Sequence, residues 1–166
     1  MINITIRPVH ASDIPTIHRI YSHSVLHGTA SWELEAPDFN EMQQRVQRVL
    51  DAGYPYLVGE YEGRTIGYSY ASSYRPRPGY RFTVEDSIYV DPSLQHIGIG
   101  KQLLVTLLEA CRAKGYRQVI AVIGDSQNLA SIRLHQALGF EHVGTFRNIG
   151  FKFDRWLDSV QMQKSL

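Results

Sequence analysis

Cysteine is nearly absent from the chain, with Cys111 the only one. A disulfide within the chain is thereby excluded, and the cysteine usage fits a reducing compartment. Cys111 falls among leucines in a helical pattern, where a thiol behaves as a small buried hydrophobe. Long apolar runs are missing as well: stretches such as Val119 to Ile123 fall far short of the ~20 residues that span a bilayer as a helix. An excess of either charge is also lacking. Seventeen Lys and Arg stand against 16 Asp and Glu, with no run of one sign, so no electrostatic footprint for nucleic acid or an anionic membrane is visible. The start, Met1 to Arg7, alternates apolar and polar residues like a strand, without the basic-then-apolar order of a signal peptide. These absences point to a cytoplasmic protein without nucleic-acid or membrane partners.

What is present suits one α/β domain spanning residues 1–166, a length that buries a sufficient core without metal or disulfide staples. After the first strand, Ser12 or Asp13 can cap a helix with Pro15 in its first turn and Ile14, Ile17, Tyr21 and Val25 on one face. A second helix begins near Asp38, sets Phe39, Met42, Val46, Val49 and Leu50 inward, and stops at Gly53. Tyr56 to Tyr61 and Thr65 to Tyr74 form a hairpin around Gly63. Two prolines and a glycine between Arg75 and Gly79 break the chain before a strand that ends at Val90. A long helix starts at Gly98, with Leu103, Leu104, Leu107, Leu108 and Cys111 inward. Gln118 to Ile123, continuously apolar and β-branched, suits a strand covered by helices on both faces. The last helix spans Asn128 to Leu138, and two strands, around Phe140 to Arg147 and Phe151 to Met162, complete the pattern.

The stretch from Ser87 to Lys101 runs strand, turn, then glycines opening a helix, which is an arrangement that holds an anion. Gly98 and Gly100 let main-chain N–H groups approach a phosphate, and the helix start adds roughly half a unit of positive charge. It is not a Walker A loop, because Gln102 follows Lys101 and Gln95 stands where that motif has glycine; nor is it a dinucleotide fingerprint, because Leu103 replaces the third glycine.

Gln95, Gly98 and Gly100 instead resemble the pyrophosphate loop, Gln/Arg-x-x-Gly-x-Gly/Ala, of the GNAT superfamily of N-acetyltransferases. Thr83 to Val90, Val119 to Gly124, Asn128 to His135, Leu138 to Phe140, the Arg75 to Pro78 loop and Gly150 to Trp156 are similar to its phosphinothricin and methionine sulfoximine acetyltransferase branch, nearly end to end. The resemblance implies a central mixed, twisted sheet of about seven strands with helices on both faces, in which a splayed strand pair binds acetyl-CoA. It implies that Ile88, Tyr89 and Val90 meet the pantetheine arm, that His96, Ile97, Gly98, Ile99, Gly100 and Lys101 hold the pyrophosphate, and that Asn128 contacts the arm. The Ile88 N–H is then placed to polarise the thioester carbonyl. A homodimer is also implied.

Attack on a thioester needs a deprotonated amine, hence a base. Glu85 is the first candidate, by its match to the acidic residue of the branch; its alternative is a solvated strand glutamate. His135 is the second, at the helix position where many relatives carry a tyrosine thought to protonate the departing thiolate; as base, acid or structural histidine its reading stays open. Asp86 points to the opposite face of the strand and suits a hydrogen-bonding or salt-bridging role beside Ser87 near the substrate. Arg75 and Arg77, with Pro76 between them and Arg81 nearby, match the acceptor-binding loop and can grip a carboxylate. Trp32, Lys152 and Trp156 are candidate walls of the acceptor pocket, with core or surface packing the equal alternative. His23 and His27, four apart on a helix, lack a third ligand of suitable spacing, and no metal is expected.

Overall fold

The computed structural model describes residues 3–94 and 97–166; Met1, Ile2, Gln95 and His96, and with them the loop contacts expected of Gln95 and His96, lie outside the described residues. Strand β1 (Ile4–Pro8) leads to helix α1 (Ile14–His27), which carries Pro15 in its first turn and buries Ile14, Ile17, Ile20 and Val25. Asp13 occupies the cap position yet makes no cap bond, contrary to expectation. Its carboxylate accepts instead from the Arg7 guanidinium at 2.8 and 2.9 Å, from the Thr65 hydroxyl at 2.6 Å and, facing back along the chain, from the His10 N–H at 2.7 Å, so its oxygens are already engaged.

Helix α2 (Phe39–Asp51) is capped by Asp38, which accepts from the Glu41 N–H at 2.8 Å. Only Met42 and Val46 of α2 are buried, whereas Phe39 and Leu50, expected inward, are exposed because the helix meets its neighbours along a narrow central stripe. Strands β2 (Tyr56–Tyr61) and β3 (Arg64–Ser73) form the expected hairpin. Glu62 and Gly63 have φ of 49° and 72°, the pair of positive values that lets a two-residue turn follow the twist of its strands.

Then come β4 (Thr83–Val90), α3 (Ile99–Ala113), β5 (Gln118–Gly124), α4 (Leu129–Ala137), β6 (Glu141–Lys152) and β7 (Arg155–Ser165). The last two strands differ from expectation. The turn lies at Phe153 and Asp154, both at φ 54°, and the break expected between Arg147 and Phe151 is an irregularity inside β6, where register with β7 shifts between Phe146 and Gly150.

The strands form one seven-stranded sheet in the order β1-β2-β3-β4-β5-β7-β6, and β4 with β5 is its parallel pair. On one face, α3 sets Leu103, Leu104, Leu107 and Cys111 against Val84, Val119 and Ala121. On the other, Ile17, Ile20, Met42 and Val46 of α1 and α2 pack on Tyr56, Val58 and Tyr68. The mixed sheet with helices on both faces is therefore as expected. Strand β5 is not covered equally on both faces. Val119, Ala121 and Ile123 join the α3 core, but Ile120 and Val122 are half-buried, because α1 and α2 sit over β2, β3 and β4.

Leu107 is fully buried in the α3 core. Leu107→Ala is expected to lower unfolding free energy by about 2–5 kcal/mol through lost burial and the cavity left behind, measured by urea denaturation.

Candidate active site

Strands β4 and β5 are paired at only three positions, Thr83 with Gln118, Val84 with Val119 and Glu85 with Ile120. Yet β4 continues to Val90 and β5 to Gly124, so from Asp86 onward the two diverge. The other edge of β4 stays paired with β3 as far as Val90. The main chain around Ile88 and Val90 therefore faces a gap with no strand partner among the described residues. Helix α3 begins close by: Gly98 holds φ 88°, a left-handed conformation open to glycine, and no side chain caps the first turn. A cavity of about 610 Å³ follows this gap, lined by Ile88, Val90, Gly98, Gly100, Lys101 and Leu134 among others.

A second cavity, of about 420 Å³, lies beside the first and is lined by Glu85, Asp86, Ser87, His135, Tyr21, Glu33 and Tyr70 among others. Ile88, Tyr89, Asn128 and Ser131 line both and mark where they meet. Asn128 is held from two sides: its carbonyl caps α4 by accepting from the Ser131 N–H at 3.3 Å, and its amide donates to the Gly124 carbonyl at 3.1 Å.

Strand alternation sends the adjacent acids to opposite faces. The Glu85 carboxyl is pushed up to about 7, first by burial and second by the charge of Asp86. That value suits a group that gains and loses a proton near neutrality. The Asp86 and His135 side chains are 1% and 2% exposed, with His135 Nε2 2.9 Å from Asp86 Oδ2. His135 Nδ1 lies 2.7 Å from the Ser131 carbonyl. Burial alone would lower the imidazole, but the bond and charge of Asp86 outweigh it and raise it above the ordinary histidine value.

The segment after α1 closes the second cavity. Thr29 donates to the Gly124 carbonyl at 3.1 Å, and the buried Lys152 ammonium donates to the Ser31 carbonyl at 2.8 Å. Trp32 lines the cavity and packs so closely over Gly150 that no Cβ fits there. Of the other expected walls, Lys152 thus stands behind Ser31, and Trp156 is exposed against Phe151. Tyr21, Glu33 and Tyr70 were not singled out from the sequence. Their one signal is the tyrosine repetition at 68, 70 and 89, which places stacked rings on the α1 face of the sheet. Glu33 accepts from Arg45 at 2.7 and 2.8 Å and from Tyr21, and Arg45 above all holds its carboxyl below the ordinary value.

Arg75, Pro76 and Arg77 are exposed and do not line either cavity. They follow β3 just past Ser72 and Ser73, the partners of Glu85 and Val84, with the Arg75 guanidinium over Tyr74 and Tyr80. His23 and His27 line the first cavity, their rings 4.7 Å apart, and no group of three metal-ligating residues occurs among the described residues.

A diverging parallel pair with free main chain, followed by a helix start with unclaimed N–H groups, fits an extended amide-rich arm ending in a diphosphate. The comparisons agree. Residues 17–140 match the acetyltransferase (GNAT) family, and the chain belongs to that family. Among its relatives is the phosphinothricin N-acetyltransferase of Alcaligenes faecalis, 51% identical over 162 residues, covering 98% of this chain and 82% of the relative. The L-methionine sulfoximine/L-methionine sulfone acetyltransferase of Salmonella typhimurium is 40% identical over 163 residues, covering 98% of this chain and 95% of the relative. The crystal structure of a GNAT superfamily phosphinothricin acetyltransferase from Sinorhizobium meliloti, in complex with acetyl-CoA, superposes with a TM-score of 0.95 at 48% identity over 98% of this chain and 88% of that one.

Cys111 is fully buried on α3, and burial pushes its thiol up to about 12. Such a thiol is no nucleophile near neutrality. Cys111→Ser is expected to retain turnover within a few-fold, measured by thiol release from acetyl-CoA; abolished turnover would point to an acyl-enzyme instead.

Proposed function

We propose that the chain, acting as one catalytic domain, transfers acetyl from acetyl-CoA to the α-amine of a small amino-acid-like acceptor of the phosphinothricin, methionine sulfoximine or methionine sulfone type, by direct attack within a ternary complex. The observation that carries this reading is the meeting of the two cavities at Ile88, with Glu85 on the side away from the α3 start. A volume of about 420 Å³ suits a small acceptor better than a protein N-terminus, and a carboxyl poised near neutrality favours catalysis over passive acyl-CoA sensing.

Acetyl-CoA supplies an activated acyl carbon. The unpaired edge of β4 at Ile88, Tyr89 and Val90 holds the pantetheine arm, and the N–H groups from Ile97 to Lys101 receive the diphosphate. Glu85, ionised, takes one proton from the acceptor ammonium, directly or through water, and frees the nitrogen lone pair. The Ile88 N–H stabilises negative charge as it grows on the carbonyl oxygen. The N–C bond forms, the C–S bond breaks, and the second amine proton balances the departing thiolate, so amine and thioester become amide and thiol. Arg75 and Arg77, exposed outside both cavities near the Glu85 end of β4, are proposed to reach the acceptor carboxylate from the loop after β3. His135, with both ring nitrogens engaged, fits a positioning role better than proton exchange with the acceptor.

We also infer a cytoplasmic homodimer. No described helix is long and apolar enough to cross a membrane, and β6 and β7 expose Phe146, Ile149, Phe151 and Trp156, apolar area that a second copy would cover.

Because Glu85 must be ionised to act, kcat/KM for an acceptor such as methionine sulfoximine is expected to rise as pH passes about 7. Glu85→Gln is expected to reduce kcat/KM by roughly a hundredfold or more near neutrality and progressively less at alkaline pH, where free amine arises unaided. An equal loss at every pH would count against Glu85 as the base. Acetyl-CoA binding without turnover of any small amino acid, sulfoximine or sulfone would remove the substrate assignment.

A further inference from the structure

Asp86 sits where the wedge opens. It is the first residue of β4 beyond the last pair with β5, Glu85 with Ile120, and its side chain turns to the α3 and α4 face. There it reaches across the divergence to His135 of α4, the helix that follows β5. Both side chains are almost wholly buried. Asp86 Oδ1 has no partner among the described residues, so the carboxylate depends on His135 alone.

The hydrogen-bond chemistry of the ring is restrictive. A carbonyl oxygen only accepts, so His135 Nδ1, 2.7 Å from the Ser131 carbonyl, must carry a hydrogen. The remaining nitrogen, Nε2, shares the second proton with Asp86 Oδ2 at 2.9 Å. His135 lines the acceptor cavity, but with both nitrogens so engaged neither keeps a free lone pair to offer an acceptor. Removing one partner of such a buried pair strands the other without compensation.

We propose that Asp86 is a positioning residue for acetyl transfer: its bond to His135 ties α4 to β4 at the apex of the wedge and keeps both imidazole nitrogens protonated, so that His135 is a fixed strut and does not itself exchange protons with the substrate. The proposal rests on the reading of Glu85 as the base, and it deepens that reading by leaving Glu85 as the one group of the β4–α4 pair of acids and imidazole that titrates during turnover. The groups facing the pair are few. Asp86 faces His135 from α4 and the Cys111 thiol from α3, while Glu85, on the other face of β4, faces Tyr70 from β3. The raised proton affinity of His135 is consistent with this arrangement.

Ring-nitrogen NMR of ¹⁵N-histidine-labelled protein, with His135 assigned among the seven histidines by its loss in His135→Gln, tests the proposal without any turnover. The parent is expected to show both His135 nitrogens protonated at neutral pH, and Asp86→Asn only Nδ1, because the introduced side-chain amide then donates to Nε2. Kinetics supply the second readout. Asp86→Ala is expected to lower kcat on the order of tenfold to a hundredfold by loosening the wedge, and Asp86→Asn, which keeps a hydrogen bond, to recover most of it. A singly protonated His135 ring in the parent at neutral pH, or Asn and Ala variants equally impaired, would overturn the proposal. Failure of the base assignment is distinguishable: it appears as a pH-independent loss in Glu85→Gln while the His135 ring signals stay as expected.

Discussion

Hydrogen bonding between β4 and β5 stops after Glu85, and the functional geometry of the chain depends on that interruption. Buried main-chain N–H and C=O groups demand partners. A parallel pair that closed fully would satisfy them and leave no site; a pair that opens offers a row of directed donors and acceptors to a ligand with amides of its own. The gap can persist because each strand is secured from its far side, β4 by seven register pairs with β3 and β5 by seven with β7. The start of α3, where Gly98 takes a left-handed conformation, then sets unclaimed N–H groups at the far end of the same gap.

Two adjacent carboxylates take different parts because a strand alternates. Glu85 emerges beside the acceptor cavity, half-buried, where loss of solvation and the neighbouring charge bring its proton affinity near neutrality. Asp86 lines the same cavity but turns to the other side of the strand, where it meets a single imidazole. The division needs no special loop; it follows from one step along an extended chain at the point where the sheet parts. The segment carrying Thr29, Ser31 and Trp32 completes the enclosure through contacts with Gly124, Lys152 and Gly150, residues separated from it by most of the chain.

Much of the fold was legible because its signals are local. Helix periodicity, the turn at Gly63 and the glycine end of α2 all act within a few residues. The departures have tertiary causes: Asp13 forsakes its cap for Arg7, Phe39 and Leu50 lie beyond the covered stripe of α2, and a bulge within β6 mimicked a turn. At the site, the glycine-opened helix and the Glu85 strand were readable, since both are contiguous. Tyr21, Glu33 and the clasp from Lys152 to Ser31 were not, because their meaning comes from packing between distant segments. The pairing of Asp86 with His135 was likewise beyond reach. Alternation gives the face that Asp86 points to, but not what α4 brings there.

Hydrogen–deuterium exchange with and without acetyl-CoA tests the wedge most directly. Slowed exchange is expected at the Ile88 and Val90 amides and in the first turn of α3, with the β3-facing edge of β4 unchanged; no change at those amides, or protection concentrated elsewhere, would contradict the opening between β4 and β5 as the seat of the donor.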